Sequence, residues 1–398
     1  MEACATVHDL DYKEDGMLAG SSIALATQRM VAPIQGMHRS ISERWFAAGG
    51  APARPVRHVH HAVSNAVYGS IRAGGAVAGW VLDTRMPDTS PASESLQSVV
   101  NGLWGDTLER HTSRLAIPMS VRDRTSGHVP LPTRLEPAFP GATGHLVVLV
   151  HGLFETERCW EGTEEEPGLA EALEDDPLLT PVTVRYNSGL RISDNGARLA
   201  GLLDEIHAAW PVPVESISLV GHSMGGLVIR SACGIAEAAD QRWIHDVDDV
   251  VTLGTPHRGS PLEKAANVAA WALAAVPDTR PLAEFLNGRS VGIKDLRFGA
   301  VAEDDWRGTD PDLPLRDTVG DHPLPSGIRH HFIAGVTTAD PAHPVGRAVG
   351  DFVVRPSSAT GGRDLKPTNE AVFGGVRHLD LPGTPAVVER VMGWLTPR

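Results

Sequence analysis

The sequence predicts an α/β protein with a mostly parallel central sheet, helices on both faces, and a helical N-terminal region ahead of it. Three observations carry this expectation. From His145 onward, short apolar runs alternate with helical patterns, the signature of βαβ units. The first run, 146–150, is continuously apolar, as expected of a strand covered on both faces. Before Arg114, by contrast, apolar residues recur at helical spacing.

In chain order, Met30, Ile34, Met37, Ile41 and Trp45 mark a first helical face. Val59, Val63, Val67 and Ile71 mark a second, and Leu96, Val99, Leu103 and Trp104 a third. Pro33, Gly49, Gly50, Pro52, Pro55 and the stretch 87–95 are read as the turns between them. Residues 115–121 and 129–131 predict a strand pair turning at Thr125-Ser126-Gly127, with Pro118 and Pro130 restricting both to edge positions. The sheet strands proper are 146–150, 182–186, 217–220, 250–253 and 332–336. Leu199, Leu202, Leu203, Ile206 and Trp210 form one face of a helix that Ser193 or Asp194 would cap. The segment 261–326 opens with an Ala-rich helix over 265–276 and becomes acidic and proline-rich over 304–325, where a lid-like insertion between two strands would lie. In the last helix Thr384 is the cap, Pro385 suits the first turn, and Val387, Val388, Val391 and Leu395 form the buried stripe. The expected organisation is a helical region over 1–112 and an α/β domain over 113–398, with 261–326 as the lid insertion.

Charge and composition narrow the function. The formal charge is −14, from 35 Lys plus Arg against 49 Asp plus Glu. No overall basic excess is available to displace counterions from phosphates, so a nucleic-acid partner is not expected. Three cysteines, Cys4, Cys159 and Cys233, are too few and too scattered for a disulfide framework or a zinc cluster. No metal or other cofactor is expected, and a reducing compartment is. Glu2, Asp9, Asp11, Glu14 and Asp15 are the opposite of a secretory signal, so a cytoplasmic location is expected. The apolar stretch 66–81 is broken by Arg72 and glycines, which argues against a spanning helix. Contact with a membrane surface is not expected either, because a Val- and Met-rich helical face more often packs on its own core. The oligomeric state is not legible.

The sharpest chemical signal is Gly221-His222-Ser223-Met224-Gly225-Gly226, between the strand 217–220 and an apolar helix. This is G-x-S-x-G in a strand-turn-helix context. A nucleophilic serine on a strained turn needs glycine neighbours to avoid steric conflict, and the helix N-terminus behind it favours developing negative charge. The strand 146–150 runs straight into His151-Gly152-Leu153-Phe154. Such a loop can supply one oxyanion donor, so the backbone N–H groups of Leu153 and Met224 are the candidates. A structural, loop-fixing role is expected for His151.

A serine needs a base, oriented in turn by a carboxylate. In chains with this motif the acid and then the histidine follow the serine. His378, just before the final helix, is the candidate base, and Asp351 in Gly350-Asp351-Phe352-Val353-Val354 the candidate acid. Asp340 and Asp321 are weaker candidates, and Asp380 weaker again because it follows the histidine. His222 is held beside Ser223 on a tight turn and cannot easily fold back onto its neighbour's hydroxyl. His257, in Gly254-Thr255-Pro256-His257-Arg258-Gly259-Ser260, precedes the acid in the chain. His151, His222 and His257 are therefore read as site wall.

Taken together, these four motif groups resemble the bacterial lipases and the serine esterases similar to glycosylphosphatidylinositol inositol-deacylase. The likeness runs from about His145 to the C-terminus. It implies an α/β-hydrolase core, a Ser-Asp-His triad and hydrolysis of carboxylic esters, often of lipids. One departure stands out: those families commonly have Gly after the acid, where this chain has Phe352. Ester hydrolysis through Ser223 is the leading expectation. An acyltransferase using the same acyl-enzyme, and a non-catalytic lipid-surface or interaction module, stay open beside it.

Overall fold

The computed structural model describes residues 18–85, 91–111, 113–123, 127–131, 135–163, 166–314, 316–362 and 364–395. Cys4, the acidic N-terminal run and positions 125–126 of the expected turn lie outside the described residues. Eight strands form one sheet: β1 (Ser120–Asp123), β2 (Gly127–Val129), β3 (His145–Val150), β4 (Leu179–Arg185), β5 (Ser216–His222), β6 (Val247–Leu253), β7 (Arg329–Val336) and β8 (Asn369–Gly374). Their spatial order is β2-β1-β4-β3-β5-β6-β7-β8. The strands from β3 to β8 pair in parallel, and β1 pairs antiparallel with both β2 and β4.

Alternation along the strands builds the two sides of the core. Leu146, Val148 and Val150 of β3 face one apolar cluster, together with Leu199, Leu203 and Ile206 of the helix Ile192–Ala209 and Leu227, Val228 and Ala232 of the helix Met224–Ala238. Val147 and Leu149 face the other, with Leu169 and Leu173 of the helix Leu169–Glu174 and Val387, Val388 and Val391 of the helix Pro385–Leu395. Each fully buried Leu, Ile or Val among them contributes about 1.5–3 kcal/mol of transfer free energy. A parallel sheet with helices on both faces, antiparallel strands at one edge and a sharp strand-turn-helix after β5 is the α/β-hydrolase architecture.

Local departures from the sequence reading have physical causes. β8, an outer strand whose side chains are mostly exposed or half-buried, has no continuous apolar run to announce it. Ser193 and Asp194 do not cap the helix Ile192–Ala209. Arg191 occupies the cap position, and the Ile192 N–H donates instead to Asp295 Oδ2 at 3.0 Å. Pro33 is not a turn residue but lies inside α1 (Leu18–Ala48).

The chain divides into two compact units. One holds residues up to Val100 together with Ala272–Phe285, the other Asn101–Trp271 and Leu286–Arg398. In the first, α1 and α2 (Arg54–Arg85) form an antiparallel hairpin, and Ser40 of α1 donates to Asp278 at 3.1 Å. In the second, the end of α3 (Pro91–Arg110) kinks at Trp104 and is clamped there. Ser290 donates its hydroxyl to Gly102 O at 2.5 Å and its N–H to Leu103 O at 2.7 Å.

Candidate active site

Ser223 sits between β5 and the helix Met224–Ala238 with φ 52° and ψ −121°, a left-handed backbone that a non-glycine residue adopts only under strain. The flanking glycines permit it. A Cβ on Gly221 would lie 2.5 Å from Gly226 N, and one on Gly225 2.2 Å from Val150 O. The Ser223 N–H donates to Leu253 O at 2.8 Å, tying the bend to the end of β6.

The three residues singled out for catalysis come together. Ser223 Oγ donates to His378 Nε2 at 2.8 Å, and His378 Nδ1 donates to Asp351 Oδ2 at 2.7 Å. Ser223 follows β5, Asp351 follows β7 and His378 follows β8, so residues 155 and 27 positions apart in pairs meet at one edge of the sheet. Asp351 is 1 % exposed, and its second oxygen accepts from the N–H groups of Val353 at 3.0 Å and Val354 at 2.8 Å. Those two bonds fix the carboxylate so that Oδ2 points at the imidazole. Phe352 takes φ 82°. The position after the acid thus keeps the left-handed conformation that glycine would adopt freely, so Phe352 departs from the family pattern in residue type but not in backbone shape. Asp340, Asp321 and Asp380 are not bonded to His378.

Both candidate oxyanion donors are available, since neither the Leu153 nor the Met224 N–H meets a protein acceptor among the described residues. The shape of the Leu153 loop is set by its neighbours. His151 Nδ1 donates to Gly152 O at 2.8 Å, its Nε2 accepts from Tyr186 N–H at 3.4 Å, and the ring stacks on Tyr186. Burial lowers the His151 pKa, so this is a neutral, loop-fixing ring. His257 is likewise neutral. Burial first, and Arg230 next, push its pKa well below the ordinary value, while it stacks on Phe332 and bonds Thr252 Oγ1 at 3.1 Å.

His222 is different. Its Nδ1 donates to Glu155 Oε2 at 2.7 Å and its Nε2 to the His378 carbonyl at 3.0 Å. A carbonyl and an ionised carboxylate only accept, so opposite an ionised Glu155 the ring carries both protons. Burial alone would lower its pKa, but the charge and hydrogen bond of Glu155, helped by the His378 carbonyl, outweigh burial and raise it. Burial would raise Glu155 in turn, yet the charge and bond of His222 and the Gly152 N–H outweigh it and lower it. Glu155 also accepts the Gly152 N–H at 2.6 Å. One buried ion pair therefore connects the Leu153 loop to the backbone of His378. Glu155 was not legible in the sequence, because its partner lies 67 residues away and no short motif contains both.

The second half of α3, from Asn101, closes over this loop. A Cβ on Gly102 would lie 2.2 Å from the Phe154 ring and one on Gly105 1.8 Å from Asn187 Oδ1, so only glycine allows the helix this near. Burial pushes the Cys233 thiol up to about 12 and the Cys159 thiol well above its usual value, which disfavours a reactive thiolate at either. Among the described residues no group of His, Cys, Asp and Glu side chains is arranged to hold a metal ion.

Comparison with known proteins follows the same segment. Residues 141–299 match the family described as "Putative serine esterase (DUF676)". A triacylglycerol lipase of Pseudarthrobacter phenanthrenivorans is 32 % identical over 123 residues, 30 % of this chain and 35 % of that protein. One of Burkholderia plantarii is 32 % identical over 123 residues, 30 % of this chain and 31 % of that protein. Among solved structures, the mature lipase BlEst2 of Bacillus licheniformis aligns with a TM-score of 0.43 at 21 % identity, over 71 % of this chain and 100 % of its own. The chain thus spans about a third of the length of the curated relatives it matches. The resemblance read from the motifs, to bacterial lipases and serine esterases, holds over the family segment 141–299, which contains the His151 loop and Ser223.

Proposed function

We propose that this chain is a serine hydrolase that cleaves carboxylic esters, lipid esters among them, through an acyl-enzyme on Ser223. The observation that carries the reading is the unbroken hydrogen-bonded line from the Ser223 hydroxyl through His378 to the buried Asp351, at 2.8 and 2.7 Å. As Ser223 Oγ attacks the ester carbonyl, His378 Nε2 takes its proton. Asp351 holds the ring in the tautomer that leaves Nε2 able to accept, and stabilises the imidazolium that results. The negative charge that moves onto the carbonyl oxygen is met by the Leu153 N–H and by the Met224 N–H, the latter at a helix N-terminus. His378 returns the proton to the departing alkoxide, which leaves as the alcohol. A water molecule, deprotonated by the same nitrogen, then releases the acid and restores the serine.

The named activity of the triacylglycerol lipase relatives supports an ester as the bond attacked. Ser223 is only 8 % exposed, so substrate entry requires a cover to move. The second half of α3 and residues 286–326 of the lid insertion, joined at Ser290, supply that cover in this reading. Free thiols at the half-buried Cys159 and the buried Cys233 support a reducing, cytoplasmic setting. The test is hydrolysis of p-nitrophenyl esters of graded acyl length. The wild-type chain is expected to turn them over and Ser223→Ala to lose the activity; a wild-type chain inert toward every ester, or an active Ser223→Ala, would overturn the reading.

A further inference from the structure

The α1–α2 hairpin is built inside out. Where the two helices meet, the contacts are polar: Gln35 with Asn65 at 3.0 Å, Arg72 with Gln35 at 2.8 Å, Ser64 and Tyr68 with His38 at 3.1 and 3.2 Å, and His61 with Glu43 at 3.0 Å. Phe46 adds an edge contact to the His60 ring, at 5.2 Å between centroids. Apart from the buried Val31 and Pro33 and the half-buried Met37, the stripe residues face outward. On α1, Met30, Ile34, Ile41 and Trp45 are exposed, Trp45 by 77 %. On α2, Val59, Val63, Val67 and Ile71 are exposed, with Val59 at 65 %.

Each set recurs every three, four or seven residues, so each is a single stripe along its helix. Counting about 100° per residue, both stripes lie about a quarter to a third of a turn from the polar seam, in the same rotational sense. In an antiparallel pair, equal rotation from the seam brings both stripes to the same side, so the hairpin presents one continuous apolar face. Leaving such a face in water sacrifices the burial that normally holds an amphipathic helix in place.

Charge identifies what covers it. Residues 18–85 hold seven arginines, no lysine and two acids, Glu43 and Asp83, a formal charge of +5 in a chain of −14. A second copy of the hairpin would bring like charge against like. A bilayer with anionic headgroups offers both a matching charge and an apolar layer just beneath it. We propose that the apolar face of the α1–α2 hairpin docks on an anionic lipid bilayer, lying in the plane of the headgroups. Among the described residues no helix is long and apolar enough to cross a membrane, which agrees with a hairpin that lies on the surface. This reverses the expectation drawn from composition, because the stripes expected to pack on a core are exposed. It stands independently of the ester-hydrolase reading and would hold for a catalytically silent chain.

The experiment is flotation of the full-length chain with phosphatidylcholine vesicles and with vesicles containing about a third phosphatidylglycerol, at low salt and at about 0.5 M NaCl. Binding is expected to be about tenfold stronger on the anionic vesicles at low salt and to fall at high salt. The double variant Val63→Asp/Val67→Asp is expected to lose about tenfold of it. Both positions are exposed, at 58 % and 52 %, so the fold should survive. The milder Val63→Ser/Val67→Ser pair, expected to weaken binding in the same direction, keeps the test decisive if the aspartates disturb the hairpin. Absence of flotation on anionic vesicles, or flotation that both variants retain, would overturn the proposal. So would light scattering that reveals a dimer which the variants dissolve, since the face would then belong to a second copy.

Discussion

At the scale of single residues, Asp351 and the Glu155–His222 pair do different work. Asp351→Asn would keep the shape but invite the wrong His378 tautomer, so turnover should fall by about 10³ to 10⁴-fold with little change in stability, as steady-state kinetics and thermal melting will report. Glu155→Gln leaves a buried imidazolium without its anion and should cost about 3 kcal/mol in urea unfolding. The pH dependence of that cost follows from the two shifts. Glu155 is lowered, so its contribution is present above its unfolded value and lost as pH falls through the folded one. His222 is raised, so its contribution is complete below its unfolded value and lost as pH rises through the folded one. The gap between wild type and Glu155→Gln should therefore be widest at mildly acidic pH and shrink on both sides; a gap constant with pH would contradict the charged assignment. Phe352→Gly, which relieves a φ of 82°, should raise stability by about 1 kcal/mol, checked by the same unfolding curves. Ser223 was legible because its motif is local, and Asp351 and His378 because chain order is informative. Glu155 was not, because only folding brings it to His222.

At the scale of elements, legibility tracks burial. β3, with its unbroken apolar run, lies where expected, whereas the mostly exposed or half-buried β8 gave no signal. The start of the helix Ile192–Ala209 is instructive, since local residues offered two plausible caps and neither is used. The acceptor, Asp295, comes from 103 residues away and also pairs with Arg191 at 2.5 Å. Asp295→Ala should therefore destabilise this helix by about 2–3 kcal/mol, from a lost cap and the lost ion pair of a half-buried arginine, measured by urea unfolding. A loss under about 0.5 kcal/mol would mean that solvent replaces the carboxylate without penalty.

At the scale of the whole molecule, the polarity pattern of the chain predicted the layered sheet, and tertiary contact decided what the pattern left open. The same helical periodicity that marks the stripe of the final helix as buried marks α1 and α2, yet there the stripes face outward. Periodicity reports that a face is apolar and says nothing of what covers it. The site is likewise a property of the assembled sheet: its loops begin at His151 and end at His378, and the family match over 141–299 reaches only the first part of them. What unites them is the hydrogen-bonded line from Ser223 through His378 to Asp351. The most direct measurement is intact-mass analysis, with peptide mapping, of the wild-type chain and of His378→Ala after exposure to a fluorophosphonate. A single adduct on Ser223 in the wild type, formed at least about 10³-fold more slowly in His378→Ala, is the expected result. Equal labelling of the two, or an adduct on any other residue, would contradict it.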